Sequence, residues 1–217
     1  MKGIFNIKAI IFDLDGVICS SDQYHYLAWK KLTSGLNIYF DEKINNRLRG
    51  ISRMDSLNII LEKSERQYSD EEKKALTEEK NKIYKGLLRQ MTKNNVDKGV
   101  RDSLKELKNR GYKLAIGSSS KNARLILHQI ELGNAFDVIA DGTHSIHSKP
   151  DPEVFLYAAS KLNEKPENCL VVEDAMSGIA AAKAAGMTAF ALYGDAKECG
   201  LEDYNLKSFS ELCEILP

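Results

Sequence analysis

The chain has 217 residues, 43% of them hydrophobic, and its 31 basic residues balance its 31 acidic residues. This composition is typical of a globular protein with a full core, built as one large domain or as a domain with a substantial insertion. A net charge of zero excludes the global basic field of proteins that bind nucleic acid or anionic membranes. No apolar run approaches the roughly 20 residues of a membrane span, and the amino terminus lacks a signal-peptide cleavage site. We therefore expect a cytoplasmic protein without a nucleic-acid or membrane partner.

Two aspartates follow the first predicted strand, KAIIF at residues 8–12. Asp13 and Asp15 project to the same side because side chains alternate along an extended chain, and Gly16 permits a sharp exit. Two carboxylates so close repel unless a cation or a proton intervenes. Aspartates also commonly cap turns after strands, so the pair alone does not distinguish a catalytic site from a capped turn.

Residues 17–92 contain no convincing strand and fall between the first and second predicted core strands. We expect them to form a helical cap domain inserted into a core made of residues 1–16 and 93–217. One helix is well marked, because Ser69 and Glu72 form a capping box ahead of an apolar face. Lys80 lies in the middle of that face, where it either snorkels past the apolar surface or points into a cleft between the domains. The apolar residues of the face are Leu76, Ile83, Tyr84, Leu87, Leu88 and Met91.

The remaining chain alternates strands and helices. Short apolar strands are predicted at 112–120, 137–142, 168–174 and 187–193, and they are typical of a sheet buried on both faces. Helical periodicity separates them, with Gly111 ending one helix and Asp151-Pro152 starting another. The pattern predicts a doubly wound α/β core with a parallel sheet. Cys169, within the strand at 168–174, is expected to be a core residue.

Other predicted strands also end in polar groups. Ser118 ends one strand, Lys149 precedes a helix, and Glu173 and Asp174 follow three apolar residues. In open α/β sheets, ligands bind at the carboxyl edge where such groups gather. Four carboxylates among oxygen ligands favour a hard divalent cation, and Mg²⁺ fits best. Each loop taken separately also fits a capped helix.

Four segments resemble the signature motifs of the haloacid dehalogenase superfamily, and the resemblance covers the whole chain. Within the superfamily, three segments of the insertion are similar to the cap of the β-phosphoglucomutase subfamily. The core segments are IIFDLDGVICSSDQYHYLAW (10–29), LAIGSSSKN (114–122), IHSKPDPEVF (146–155) and LVVEDAMSGIAAAKAAG (170–186), and the cap segments are YHYLAW (24–29), RLRGISRMDSL (47–57) and EEKNKIY (78–84).

The resemblance implies roles for the core residues. Asp13 would be the nucleophile that forms an aspartyl phosphate, and Asp15 the general acid and base. Mg²⁺ would be held by the Asp13 carboxylate, the Asp15 backbone carbonyl and Asp174, with Glu173 acting directly or through water. Charge neutralisation and alignment are what phosphoryl transfer requires. The residues around the transferring phosphate would be Ser118, Ser119 and Lys149.

The resemblance also implies roles for the cap. Arg53, in the segment GISR that begins at Gly50, would hold the distal phosphate of a sugar bisphosphate together with Ser120, Lys121 and Asn122. His25 and Lys80 would help to position Asp15, and Ser21 would lie in the hinge. Ser21 and Ser119 depart from the threonine and alanine that the family often has there, which bears on cap timing. Alternatives are helix-start chemistry for Ser21 and His25, and a solvated surface charge for Arg53.

These roles imply a phosphomutase that interconverts β-glucose 1-phosphate and glucose 6-phosphate through an aspartyl-phosphate enzyme and a bisphosphate intermediate. The alternative is a magnesium-dependent sugar-phosphate phosphatase of the same superfamily. A third reading is a non-catalytic phosphosugar-binding protein. In each case the partner is a small sugar phosphate, and we expect a monomer.

Overall fold

The computed structural model describes residues 6–48 and 51–217, which form two compact units. The α/β unit contains the described residues up to Ser20 together with Met91–Pro217, and the helical unit is Ser21–Gln90. Val17, Ile18 and Cys19, which the sequence pattern assigns to the insertion, belong to the α/β unit and are buried. Their backbone turns back, with the N–H groups of Ile18 and Cys19 donating to the Leu14 carbonyl.

The helical unit contains α1 (Asp22–Gly35), α2 (Glu42–Asn46), α3 (Arg53–Leu61) and α4 (Asp70–Leu88). The capping box predicted at Ser69 and Glu72 is confirmed, with both reciprocal hydrogen bonds formed at the start of α4. The core of this unit is made of apolar side chains from α1, α2, α3 and the loops between them: Trp29, Leu32, Ile38, Phe40, Ile44, Leu48, Leu57 and Ile60.

The buried line of α4 differs from the predicted apolar face. Lys80 and Tyr84 are each only 1% exposed, whereas Leu76, Ile83 and Leu87 are half-buried. The hydrophobic pattern does not identify the buried face, because a lysine lies at the centre of that face. The snorkelling alternative for Lys80 is wrong, since its whole side chain is enclosed. The buried residues of the helix are Thr77, Lys80, Tyr84 and Leu88.

The α/β unit is built on a parallel sheet, as predicted, and among the described residues this sheet has six strands, where the sequence pattern indicates five. Its strands are β1 (Ala9–Phe12), β2 (Lys113–Gly117), β3 (Val138–Ala140), β4 (Cys169–Glu173), β5 (Thr188–Ala191) and β6 (Tyr204–Asn205), in the order β3-β2-β1-β4-β5-β6. The first four residues of β4 and all of β1 are buried apolar residues, including Cys169, as expected for inner strands. The order places β1 between β2 and β4, so the chain that follows β1 lies at the middle of the sheet edge.

The helices of this unit are α5 (Lys98–Asn109), α6 (Ala123–Gln129), α7 (Glu153–Lys161), α8 (Met176–Ala184) and α9 (Leu212–Ile215). The predicted start of α7 moves by one residue. Pro152 is the N-cap itself, while the Asp151 side chain accepts a hydrogen bond from the Glu153 N–H at 3.0 Å. Among the helices of the described chain, none combines the length and the apolar character needed to cross a membrane.

Candidate active site

Three carboxylates meet where β1 and β4 end. Asp13 follows β1 directly, Glu173 is the last residue of β4, and Asp174 follows it. The two strands are paired in parallel, with Phe12 opposite Val172, so their carboxyl ends lie side by side. Carboxylate oxygens of Asp13, Glu173 and Asp174 all lie within 4.8 Å of one another.

Lys149 joins two of these carboxylates. Its Nζ lies 2.5 Å from Asp13 Oδ1 and 2.5 Å from Glu173 Oε1, and its side chain is only 8% exposed. The ammonium also lies 4.7 Å from the centroid of the Phe155 ring. Burial alone lowers the pKa of Lys149, but the Asp13 and Glu173 carboxylates outweigh that effect and raise it. Lys149 is therefore a fixed positive charge beside Asp13.

Glu173 is the most enclosed member of the cluster, at 1% exposure. Its Oε2 accepts hydrogen bonds from the backbone N–H groups of Asp174 at 3.0 Å and Ala175 at 3.1 Å. Burial raises the pKa of this carboxyl, Lys149 opposes that rise, and Asp13 adds to it. Gly178 makes room for it, because a Cβ there would lie 1.9 Å from Glu173 Oε1.

The ionised form of Asp174 is destabilised by its place in the cluster. Burial, together with the negative charges of Asp13, Glu173 and Asp15, raises its pKa to about 8, although Lys149 opposes the rise. Gly16 passes close to this carboxylate at φ +97, where a Cβ would meet Asp174 Oδ2 at 2.0 Å. Lys149 supplies one positive charge to this group of acids, so a divalent cation on their oxygens would relieve the repulsion. The donor set, composed only of oxygens, fits Mg²⁺.

Asp15 lies at the rim of the same cluster and is half-buried. It forms an isolated bridge with Cys19, and the Gly16 N–H donates to the Cys19 carbonyl at 2.7 Å. Burial raises the pKa of the Cys19 thiol, and the charges of Asp15 and Asp13 raise it further. The turn thus fixes the backbone on both sides of Asp15, while Cys19 remains a neutral thiol.

A serine-rich loop follows β2, the strand on the other side of β1. Ser118 Oγ accepts from the Ser120 N–H at 3.1 Å, and Ser120 Oγ accepts from the Asn122 N–H at 3.2 Å. The Ser118 N–H donates to the Ala140 carbonyl, which ties the loop to the end of β3. Ser118 and Asn122 are buried, Ser120 is half-buried, and the Ser119 and Lys121 side chains are exposed.

The helical unit brings together three basic side chains. Lys80 Nζ lies 2.8 Å from His25 Nδ1. An ammonium has only donors, so His25 Nδ1 accepts, and the neutral ring carries its proton on Nε2. Burial lowers the pKa of His25 well below 6.5, and Lys80 and Arg53 lower it further. Arg53, the first residue of α3, donates to Asn81 Oδ1 at 3.0 Å and is itself half-buried, which lowers its pKa.

The remaining expected site residues are Ser21 and Gly50. Ser21 is fully buried, and its Oγ lies 2.7 Å from Tyr84 Oη. It is the N-cap of α1, yet its side chain makes no capping hydrogen bond. Gly50 lies outside the described residues.

Several contributors were not recognised in the sequence. Phe155, whose ring lies against the Lys149 ammonium, and Asn81, which accepts from Arg53, show no functional pattern in the sequence. Gly178 is the one of these residues that the sequence could have indicated. A glycine inside a helix lowers stability, so its presence there suggests a close neighbour that leaves no room for a side chain.

Residues 7–186 match the family model of the haloacid dehalogenase-like hydrolases. The Beta-phosphoglucomutase of Bacillus subtilis (strain 168) is 43% identical over 185 residues, covering 84% of this chain and 82% of that protein. The Phosphorylated carbohydrates phosphatase of Thermotoga maritima is 32% identical over 184 residues, covering 83% and 82%. A crystal structure of beta-phosphoglucomutase from Clostridium difficile superposes with a TM-score of 0.84 at 40% identity, covering 95% of this chain and 93% of that chain. The chain therefore belongs to the haloacid dehalogenase-like hydrolases.

Proposed function

We propose that the protein is a phosphomutase that interconverts β-glucose 1-phosphate and glucose 6-phosphate. The observation that carries the proposal is the cluster of three basic side chains, His25, Arg53 and Lys80, in the helical unit. A mutase needs a second phosphate anchor, because its bisphosphate intermediate rebinds in the opposite orientation. The acidic centre of the α/β unit supports the phosphoryl-transfer chemistry itself.

Asp13 is the proposed nucleophile. Its carboxylate oxygen forms a bond to phosphorus while the bond from phosphorus to the sugar oxygen breaks, and Asp15 gives its proton to that departing oxygen. In the reverse half-reaction Asp15 takes a proton from a sugar hydroxyl, which attacks the aspartyl phosphate and releases the Asp13 carboxylate. Attack by the 6-hydroxyl of β-glucose 1-phosphate gives the bisphosphate, and return of the 1-phosphoryl group to Asp13 leaves glucose 6-phosphate.

Lys149 supports this role for Asp13. Two anions must meet in the transfer step, and a buried ammonium 2.5 Å from Asp13 Oδ1 offsets their repulsion. Ser118 and the Ser119 amide would bind the remaining oxygens of the transferring phosphate. Mg²⁺ held by the Asp13 and Asp174 carboxylates, the Asp15 carbonyl and Glu173 (directly or through water) would add further positive charge.

The helical unit would bind the other end of the substrate. Arg53 suits a phosphate because its planar fork engages two oxygens at once. Ser120, Lys121 and Asn122 would assist it, and Ser21 would lie in the hinge. Lys80 and the neutral His25 would position Asp15, with the His25 Nε2–H as a hydrogen-bond donor.

A sugar-phosphate phosphatase is the second candidate. It would use the same Asp13 but let water attack the aspartyl phosphate. The Thermotoga maritima relative, a Phosphorylated carbohydrates phosphatase, favours this alternative over nearly the same length of chain. The core residues serve both reactions equally, so the helical unit must decide between them.

A coupled assay separates the two reactions. The protein is incubated with β-glucose 1-phosphate, Mg²⁺ and a trace of sugar bisphosphate or acetyl phosphate, and glucose 6-phosphate and free phosphate are measured together. The mutase produces glucose 6-phosphate in large excess. Predominant free phosphate would make the phosphatase the correct assignment, and neither product would leave a binding protein.

A further inference from the structure

Four side chains enclose one ammonium group inside the helical unit. His25 and Trp29 are four residues apart on α1, and Lys80 and Tyr84 are four residues apart on α4, so each pair shares one face of its helix. We call these four residues, His25, Trp29, Lys80 and Tyr84, the lysine box.

The box holds Lys80 from three directions. Its Nζ lies 2.8 Å from His25 Nδ1, 4.9 Å from the centroid of the Trp29 ring and 4.6 Å from the centroid of the Tyr84 ring. The His25 and Tyr84 rings also contact each other, with centroids 4.1 Å apart. Aromatic faces attract a cation more strongly when it is shielded from water, as Lys80 is at 1% exposure.

Tyr84 has a second attachment at its other end. Its hydroxyl lies 2.7 Å from Ser21 Oγ, and both residues are buried. Ser21 is the first residue of the helical unit, where the chain arrives from the α/β unit. One rigid aromatic side chain therefore connects this entry point to the Lys80–His25 pair.

We propose that Tyr84 is a positioning residue for Lys80 and His25. The Tyr84 and Trp29 rings both lie against the Lys80 ammonium, and together they fix the direction of its hydrogen bond to His25. The Tyr84 hydroxyl fixes the position of Lys80 and His25 relative to Ser21. This inference rests on the proposed function, in which Lys80 and His25 act on Asp15. Stability alone does not explain a buried lysine at this position. Well-packed apolar residues can replace buried charged groups with little or no loss in the free energy of unfolding.

The ring and the hydroxyl of Tyr84 can be tested separately. Tyr84→Phe keeps the ring and removes the bond to Ser21, Ser21→Ala removes the same bond from the other side, and Tyr84→Leu removes both ring and hydroxyl. Tyr26→Phe is the matched control, because it removes an exposed hydroxyl that accepts from Lys30 on the same helix. Steady-state kcat and KM are measured for the sugar phosphate that the parent enzyme converts and for acetyl phosphate, and melting curves report folding.

We expect Tyr84→Phe and Ser21→Ala each to lower kcat for the sugar phosphate roughly three- to tenfold, with little change in KM. Acetyl phosphate should show a smaller loss, because its leaving group hardly needs the proton that Asp15 supplies. The double variant should lose no more than either single variant, since both remove one shared bond. Tyr84→Leu should cost at least about another tenfold, because the ammonium loses an aromatic face.

Three results would overturn the inference. They are losses that multiply in the double variant, equal losses on both substrates, and a Tyr84→Phe enzyme as active as the Tyr26→Phe control. These results compare kcat of each variant with kcat of the parent enzyme. A failure of the proposed function is distinct from them, because the parent enzyme itself would then form the wrong product. If Tyr84→Leu does not fold, the two hydroxyl variants still decide the matter.

Discussion

At the scale of single residues, Lys149 places a positive charge beside Asp13, the proposed nucleophile. Its Nζ lies 2.5 Å from Asp13 Oδ1, where it would offset the negative charge of an incoming phosphate. Asp13→Asn keeps the shape but provides only a weakly nucleophilic amide. We expect the variant to fold and to lose phosphoryl transfer from both acetyl phosphate and sugar phosphate.

Phosphate release from acetyl phosphate and a melting curve check this prediction. Asp102→Asn, which alters an exposed ion pair with Lys98, is the control and should retain full activity. Activity in a folded Asp13→Asn enzyme would exclude Asp13 as the nucleophile.

Asp174 provides a test of the proposed metal site. Its pKa of about 8 exceeds the ordinary 3.8, so the folded state binds the proton more tightly than the unfolded chain. Ionised Asp174 therefore destabilises the fold increasingly as the pH rises towards 8 and fully above it. In EDTA at pH 8 to 9, we expect Asp174→Ala to melt about 2–4 °C higher, the shift that 1 kcal/mol produces in a chain of this size.

Added Mg²⁺ should reverse that ranking. The parent enzyme should gain melting temperature with Mg²⁺ because the ion binds only the folded state, and Asp174→Ala should gain much less. Asp102→Ala should respond to Mg²⁺ as the parent does. An equal response in Asp174→Ala would remove Asp174 from the metal site.

His25 gives a pH dependence of the opposite sign. Burial, Lys80 and Arg53 lower its pKa below 6.5, so below pH 6.5 the unfolded chain binds a proton that the folded chain refuses. Stability falls as the pH drops, by up to about 1.4 kcal/mol per pH unit for this one group. Urea unfolding between pH 5 and 7 should show a flatter pH dependence for His25→Asn, whereas His128→Asn on α6 should keep the parent slope.

At the scale of secondary-structure elements, Gly178 shows how a helix is fitted to the acidic cluster. A Cβ at this position in α8 would lie 1.9 Å from Glu173 Oε1, so the carboxylate would have to leave its place against Lys149. We expect Gly178→Ala to lower the free energy of unfolding by about 1–3 kcal/mol and to weaken Mg²⁺ binding. Denaturant unfolding and metal titration measure the two effects.

The chain offers a matched control in α4. Gly86 is exposed inside that helix, and a Cβ there meets nothing within 4 Å. Gly86→Ala should raise the free energy of unfolding by about 0.5–1 kcal/mol, the ordinary helix propensity gain. If Gly178→Ala stabilised the protein to the same extent, the proposed fit of α8 to Glu173 would be incorrect.

The elements also show what sequence patterns reveal. Five strands were predictable because they are short, apolar on both faces and followed by polar turns, whereas β6 has only two residues, Tyr204 and Asn205, and no such pattern. The capping box of α4 was visible because Ser69 and Glu72 stand three residues apart. The buried face of α4 was not, because hydropathy assigns Lys80 to the surface, whereas His25, Trp29 and Tyr84 surround its ammonium group.

At the scale of the whole molecule, substitution of Arg53 tests whether the enzyme is a mutase or a phosphatase. As the proposed anchor of the non-transferring phosphate, it matters for a sugar phosphate but hardly for acetyl phosphate. Charge-assisted bonds contribute roughly 1.5 to 3 kcal/mol each, so Arg53→Ala should lose about tenfold to a hundredfold in kcat/KM for the sugar phosphate. The ratio of free phosphate to isomer should rise as water competes better.

Two further variants sharpen the comparison. Arg53→Lys should recover part of the loss, since a point charge lacks the fork of a guanidinium. Arg47→Ala, which removes an exposed pair with Glu62 in the same unit, should match the parent. Unchanged sugar-phosphate turnover in Arg53→Ala would remove the main support for the mutase.

The grouping of site residues within each unit was only partly predictable. Strand ends at one sheet edge bring Asp13, Glu173 and Asp174 together by topology alone, which sequence reasoning anticipates. The partners of Arg53 and Lys80 depend on how α1, α3 and α4 pack, and no periodicity specifies which side chains then meet. Asn81 meets Arg53, and Trp29 meets Lys80, as a result of that packing.

The position of the helical unit in the chain has an evolutionary consequence. Residues 21–90 enter and leave between β1 and β2, and the acidic centre with Lys149 is assembled entirely by residues outside that stretch. Changes in the insertion can therefore accumulate without disturbing the proposed nucleophile or its counter-charge. A lineage built this way can change its substrate through one continuous segment, and a laboratory exchange of such segments would have to keep only the few side chains proposed to position Asp15.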